Sequence, residues 1–423
     1  MSVSRDFLRI FVWKPVRLAG CVLGAGLLAI VLLSAGERRI RAQGGAEVPP
    51  GQPTLEELHA SMRPMTRSAA ARTLEVLGAA LGLDLAPKGK PGTRPSVEKR
   101  EMFRLLKKDS LANWIGELEA RPDDAEVAAP VPVQAFLAEH DEALGRFVAH
   151  LREHGEALEW EMDPADLPDS PLPNLVGILD AVRLLEAAPL EADRSGEASK
   201  ARQSLEASFR LAESLERRPE LITFLISLAI DGMHHVQVRR LRNPLEEWAA
   251  RLGRRDLLVA LRQALRMEAL LIRDMSSSSR SDYGWLKPYV EFSLADAARR
   301  IDRVAFAHDR LTWESVQGNA ESLWKNPCPR WNIVCRVGWP DFGSLPYRVV
   351  RRKLDREVTN LILRAKVRDL GSCAVDSRAA PGKALHLERL DGDHFEVEAL
   401  VGLEEPHPDT ICKLPLRFLG TRP

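Results

Sequence analysis

The segment VRLAGCVLGAGLLAIVLLSAG, Val16 to Gly36, constrains this chain more than any other stretch. Its single charge, Arg17, stands at the edge, and nothing from Leu18 to Gly36 is charged. At about 1.5 Å per residue, such a helix crosses a hydrocarbon core of roughly 30 Å. A helix is also the one form in which so short a span satisfies its own backbone in lipid. Gly20, Gly24 and Gly26 would weaken a soluble helix but are common in membrane ones, and Gly20-x-x-x-Gly24 is a helix-pairing spacing. Residues 16–36 are therefore expected to be a transmembrane signal anchor, preceded by a cytoplasmic N-terminus (1–15).

Arg5, Arg9, Lys14 and Arg17 precede the span, while Arg38, Arg39 and Arg41 follow it, so the flanking charges favour one orientation only slightly. A first apolar segment after a short basic start is usually inserted with its N-terminus inside. That places residues 37–423 outside the cytoplasm. Ser34-Ala35-Gly36 offers a small-residue cleavage site, but the apolar run exceeds a usual signal h-region, which favours an uncleaved anchor. Leu18-Ala19-Gly20-Cys21 spells a lipoprotein box with its apolar run on the wrong side, so Cys21 reads as a membrane residue.

Beyond Cys21 the cysteines are Cys328, Cys335, Cys373 and Cys412. An even number in an exported region suggests two disulfides, with three pairings open. Local pairing, Cys328–Cys335 and Cys373–Cys412, keeps each bridge inside one apparent unit. The longer loop would stabilise by roughly 3–4 kcal/mol on a chain-entropy model. No C-x-x-C knuckle suggests zinc instead. Lys+Arg and Asp+Glu are 60 each, so no basic excess points to nucleic acid.

Residues 37–53, with Gly44-Gly45 and Pro49-Pro50, read as a linker. From Thr54 to about Leu311 apolar residues recur at three and four, broken by APKGKPGTRPS (86–96), DPADLPDSPLP (163–173) and SSSSRSDYG (276–284). This predicts an irregular helical array or bundle. LLEAAPLEADRSGEASKARQSLEASFRLAESLERRP (184–219) reads as a helical hairpin around Ser195-Gly196, with Ala201 and Leu205 set against Leu211 and Leu215. Leu221 through Ile230 is apolar almost all round, which marks a buried central helix. Two amphipathic helices follow, at 286–309 and 347–371. The whole helical domain is thus expected over 54–371, including a Cys-containing aromatic loop at 313–347. Alternating runs around Asp391-Gly392-Asp393 predict a β-hairpin over 383–403, with a third strand at 415–420, in a small β appendix over 372–423. The expected fold class is all-α with an N-terminal transmembrane helix and this appendix.

Two resemblances fit the pattern. Gly196-Glu-Ala-Ser-Lys-Ala201 resembles the inter-helix turn of a tetratricopeptide repeat, although no 34-residue period recurs. The anchor, LAESLERRPELITFLISLAI (211–230), LDREVTNLILRAKV (354–367) and the Cys-bearing C-terminal strands together resemble a group of single-span bacterial envelope proteins with no assigned activity. That resemblance implies architecture and a place in the bacterial inner membrane, with the bulk periplasmic. It implies no chemistry.

HLREH (150–154) matches the inverted zinc-protease signature, with His150 and His154 as ligands and Glu153 as general base. On the wheel, however, the inward stripe is Leu137, Leu144, Phe147, Val148, Leu151 and Leu158. His154 falls at its edge, His150 further out and Glu153 nearly opposite. A solvated face is the simpler reading. Asp231, His234 and His235 follow the most buried helix, and Asp231 can reach His235 across one turn. No nucleophile accompanies them, so polar partners at a helix end explain them. Trp324, Trp331, Trp339 and Phe342 make the 313–347 segment the best candidate contact surface, for a protein partner or a glycan. His394, Glu396 and Glu398 read as the wet face of a strand, opposite Phe395 and Val397. With no coherent catalytic set and no cofactor motif, the leading expectation is an interaction scaffold. A zinc hydrolase and a glycan binder are the alternatives.

Overall fold

A computed structural model describes residues 51–421 except 122, 243–245, 278–286, 307–310, 317–327, 329–331, 333–334, 336–344, 369, 392–393 and 400–416. The expected anchor, cytoplasmic N-terminus and most of the linker therefore lie outside the described residues. The chain is mostly helical, with a small four-stranded sheet near the C-terminus.

Helices begin where the sequence places caps. Thr54 opens α1 (Leu55–Ser61) with a reciprocal capping box, its hydroxyl accepting from the Glu57 amide at 3.2 Å while the Glu57 carboxylate accepts from the Thr54 amide at 2.7 Å. Ser68 caps α2 (Ala69–Ala80). α3 (Val97–Leu106) runs through a π-turn at Lys107–Leu111 into α4 (Ala112–Ala120). α5 (Val131–Glu139) and α6 (Asp141–His154) follow. The expected hairpin forms from α7 (Leu175–Arg194) and α8 (Ala198–Leu215). Gly196 takes φ +80° in its turn, where an L side chain would be strained. Ala201, Leu205, Leu211 and Leu215 all lie buried along α8, so they share one helix and do not face one another across the hairpin as expected.

α9 (Leu221–Arg240) is the axis of the molecule. Leu221, Phe224 and Leu228 enter one apolar core with the later helices and the sheet. Ile230 and Met233 enter a second core, built by α2–α8. Val238 enters a third with Leu205, Phe209, Trp248 and Leu363. This is why the helix is apolar on every side. By length and composition it could cross a membrane, but two thirds of that window is buried inside the protein. α10 (Glu246–Gly253), α11 (Leu257–Ser277), α12 (Lys287–Ala305) and α13 (Leu345–Val367) complete the α-helices among the described residues.

The sheet is an antiparallel meander, β1 (Cys373–Asp376), β2 (Ala384–Asp391), β3 (His394–Ala399) and β4 (Arg417–Thr421), in that spatial order. The β2–β3 hairpin and β4 follow the alternation read in the sequence. β1 was not expected: its four residues are mostly exposed and carry no alternating pattern. The sheet packs on the helices. Leu385, Leu387, Phe395, Val397 and Phe418 join Val358, Leu361 and Ile362 of α13 in one core. The far edge of β4 is closed by the loop after α4, where Asp123 bridges Leu419 in parallel and the Asp124 amide donates to the Leu419 carbonyl at 3.2 Å.

Cys328 and Cys335 form a disulfide, with Cα atoms 5.7 Å apart. Cys373 is a free, exposed thiol at the head of β1, and Cys412, its expected partner, lies outside the described residues.

Candidate functional site

The loop after α4, the last turns of α9 and α13, and the β2–β4 side of the sheet enclose a cleft of about 900 Å³. Its floor is charged. Lys366, almost fully buried near the end of α13, donates to the Asp124 carboxylate at 2.8 Å and to the carbonyls of Arg239 at 2.7 Å and Leu241 at 3.3 Å. Burial pushes its ammonium below the usual lysine range, with Asp124 pulling the other way. Asp124 also accepts from the Thr421 amide at 2.9 Å, so one carboxylate ties α13, the α4 loop and β4 together.

Arg240, at the end of α9, donates to the carbonyls of Leu118 at 2.7 Å, Arg121 at 3.3 Å and Ala125 at 3.4 Å. Burial, then the neighbouring Arg239, lowers it to about 10. Arg242 pairs with Glu126. Around this floor Leu390 and Leu419 are exposed, as is Val367 beside Lys366. The cleft thus offers an apolar rim over charges already neutralised by one another. Its lysine and Arg240 are engaged by fixed acceptors, which suits recognition better than proton transfer. Sequence reasoning missed it, because its parts come from positions 123–126, 240–242, 366 and 390–421. The only local signal was the paired Asp123-Asp124.

The sequence-predicted residues sit elsewhere. In α6, Leu144, Phe147, Val148 and Leu151 are buried, and Leu137 and Leu158 with them. His150 turns further inward than the wheel alone suggests, since α2 packs over that flank and its Ala70 carbonyl lies 2.8 Å from His150 Nε2. His154 and Glu153 are the exposed pair, 3.9 Å apart. The two imidazoles lie 4.9 Å apart, centroid to centroid. Among the described residues no group of three or more His, Cys, Asp or Glu is arranged to hold a metal ion.

His235 does not pair with Asp231. Its Nδ1 meets Asp355 of α13 at 3.0 Å. Asp355 also binds Arg239 and Arg352, and Arg239 donates to Thr359 at 2.9 Å. Burial would raise the Asp355 carboxyl, but Arg239 first, then His235 and Arg352, holds it well below the ordinary carboxylate range. His234 points the other way, 2.9 Å from the Ser208 hydroxyl and stacked on Phe209. Burial, then His235, lowers it to about 3, so it is neutral. This network is sealed from solvent and joins α9 to α13.

Of the aromatic segment, Trp313 is buried against Tyr347, and its amide donates to the Ala379 carbonyl at 2.8 Å. Asn332 is buried as well, donating to the Ser293 carbonyl at 2.9 Å and the Asp296 carboxylate at 3.0 Å, and it accepts from the Cys335 amide. The disulfide region is thereby docked on α12. Trp324, Trp331, Trp339 and Phe342 lie outside the described residues. No family model, curated protein or solved structure matches the chain.

Proposed function

We propose that this chain is a membrane-tethered interaction scaffold of the bacterial envelope. Residues 16–36 anchor it in the inner membrane as a single span, and the helical body stands on the periplasmic side. The partner is a protein that seats apolar side chains between the rim of the cleft and its charged floor. One observation carries the reading: Leu390 and Leu419 stay exposed on a base locked by Lys366, Asp124 and Arg240. Exposed apolar side chains grouped at one cleft mark a site of interaction. The apolar run at 16–36 and the Cys328–Cys335 bridge support the location.

A photo-crosslinking residue at position 390 of the full chain, in its native membrane, tests this. The expected outcome is a discrete protein adduct that disappears when Leu419→Asp is added. Adducts that are absent, or that persist unchanged with Leu419→Asp, would refute the reading.

A further inference from the structure

One turn behind the cleft floor lies a small cavity of about 10 Å³, between α4, α7 and α9. Its polar lining is Glu119, Glu186 and Gln237, set among Ile115, Leu118, Leu190, Met233 and Val236. Glu186 and Gln237 are each 2% exposed. The side-chain amide of Gln237 is already committed, its Nε2 donating to the Glu186 main-chain carbonyl at 3.0 Å, which leaves Oε1 as its remaining polar atom. Glu186 Oε1 and Gln237 Oε1 have no hydrogen-bond partner among the described residues. Glu119 contributes a further carboxylate. Both unpartnered oxygens are acceptors when Glu186 is ionised.

The volume suits one water and little else. A water's two donors can meet Glu186 Oε1 and Gln237 Oε1, but an ionised Glu186, 2% exposed, would still be a buried charge that needs a cation beside it. Neighbouring charges do not supply it. Arg183 of α7 bears on both carboxylates but pairs with Asp180. Arg352 and Asp355 of α13 act on Glu119 with opposite signs. α9 presents only Gln237, Met233 and Val236 to the cavity. A cation is a poorer occupant, because three protein oxygens around a one-water space fall short of the six or more that hard ions take.

We propose that this cavity is a proton-and-water site. Glu186 keeps its proton at neutral pH and donates it to one buried water, which in turn donates to Gln237 Oε1 and to the Glu119 carboxylate. Burial and the nearby Glu119 both push the Glu186 carboxyl up, in keeping with this arrangement. The proton holds α4 against α7 and α9 at Leu118, whose carbonyl accepts from Arg240 on the cleft side.

The sign follows from linkage. The folded state binds a proton that the unfolded state has released above the ordinary glutamate range. Stability is therefore complete at low pH and falls as pH rises towards the folded-state value. Over that window the unfolding constant rises about tenfold per pH unit, one proton's worth.

The test uses the full chain, with infrared difference spectra and unfolding curves from pH 5 to pH 8. The wild type should show a protonated carboxylic C=O band at neutral pH. Glu186→Gln, which brings its own donor, should remove that band and flatten the pH slope of unfolding. Should Glu186→Gln not fold, Glu119→Gln should leave the band in place, since the proton belongs to Glu186. A wild type with no such band, or a slope unchanged in Glu186→Gln, overturns the proposal. So does stabilisation by added magnesium or calcium that Glu186→Gln abolishes, which would make the occupant an ion.

Discussion

Replacing Asp355 by alanine should cost about 3–5 kcal/mol, read from the denaturant midpoint, because Arg239 and Arg352 would lose their shared carboxylate inside the protein. The same residue sets part of the acid limit. Its carboxyl is held far below its unfolded value, so its contribution is complete above that value and is lost as pH falls through the folded one. His234 acts over a higher range. It is neutral in the fold down to about pH 3, whereas the unfolded chain takes up a proton near 6.5. Its contribution is present above pH 6.5 and drains away as pH falls towards 3. His234→Gln, which can still meet the Ser208 hydroxyl, should make stability less steep over that range in pH-dependent thermal unfolding.

At the scale of elements, two glycines separate packing from propensity. A Cβ on Gly177 would lie 1.9 Å from the Asp84 carbonyl oxygen, a backbone atom with little room to yield. Gly177→Ala should therefore destabilise, by roughly 1–3 kcal/mol in denaturant unfolding. Gly145 in α6 has nothing within 4 Å of such a Cβ, and Gly145→Ala should stabilise by about 0.5–1 kcal/mol. The sequence cannot tell Gly145 of α6 from Gly177 of α7, because the difference is a neighbour of Gly177 93 positions away on a loop. The same limit governs the site. Periodicity revealed the stripe of α6, the α7–α8 hairpin and the apolar half of α9, all local patterns. Asp355 lies 120 positions from His235, and one-turn geometry pointed to Asp231 instead. β1 escaped notice because an exposed four-residue edge strand has no alternation to read.

For the molecule as a whole, the sheet decides whether the chain is a helical body with an ornament or one cooperative unit. Truncation after residue 371 removes the strands that cover Val358, Leu361 and Ile362, and the turn that receives Trp313. The remainder should unfold or aggregate, as seen by loss of a cooperative thermal transition. An unchanged transition would mean that the sheet is dispensable. The same integration ties the cleft to the whole fold, since its floor joins the loop after α4, α9, α13 and β4 through Lys366, Asp124 and Arg240.

Location is the claim on which the scaffold reading rests, and a reporter tests it most directly. Alkaline phosphatase fused after residue 423 is active only beyond the cytoplasmic membrane. The account predicts an active fusion that fractionates with the inner membrane and becomes soluble and inactive when residues 1–36 are deleted. An inactive fusion of the intact chain, found in the cytosol, would contradict it.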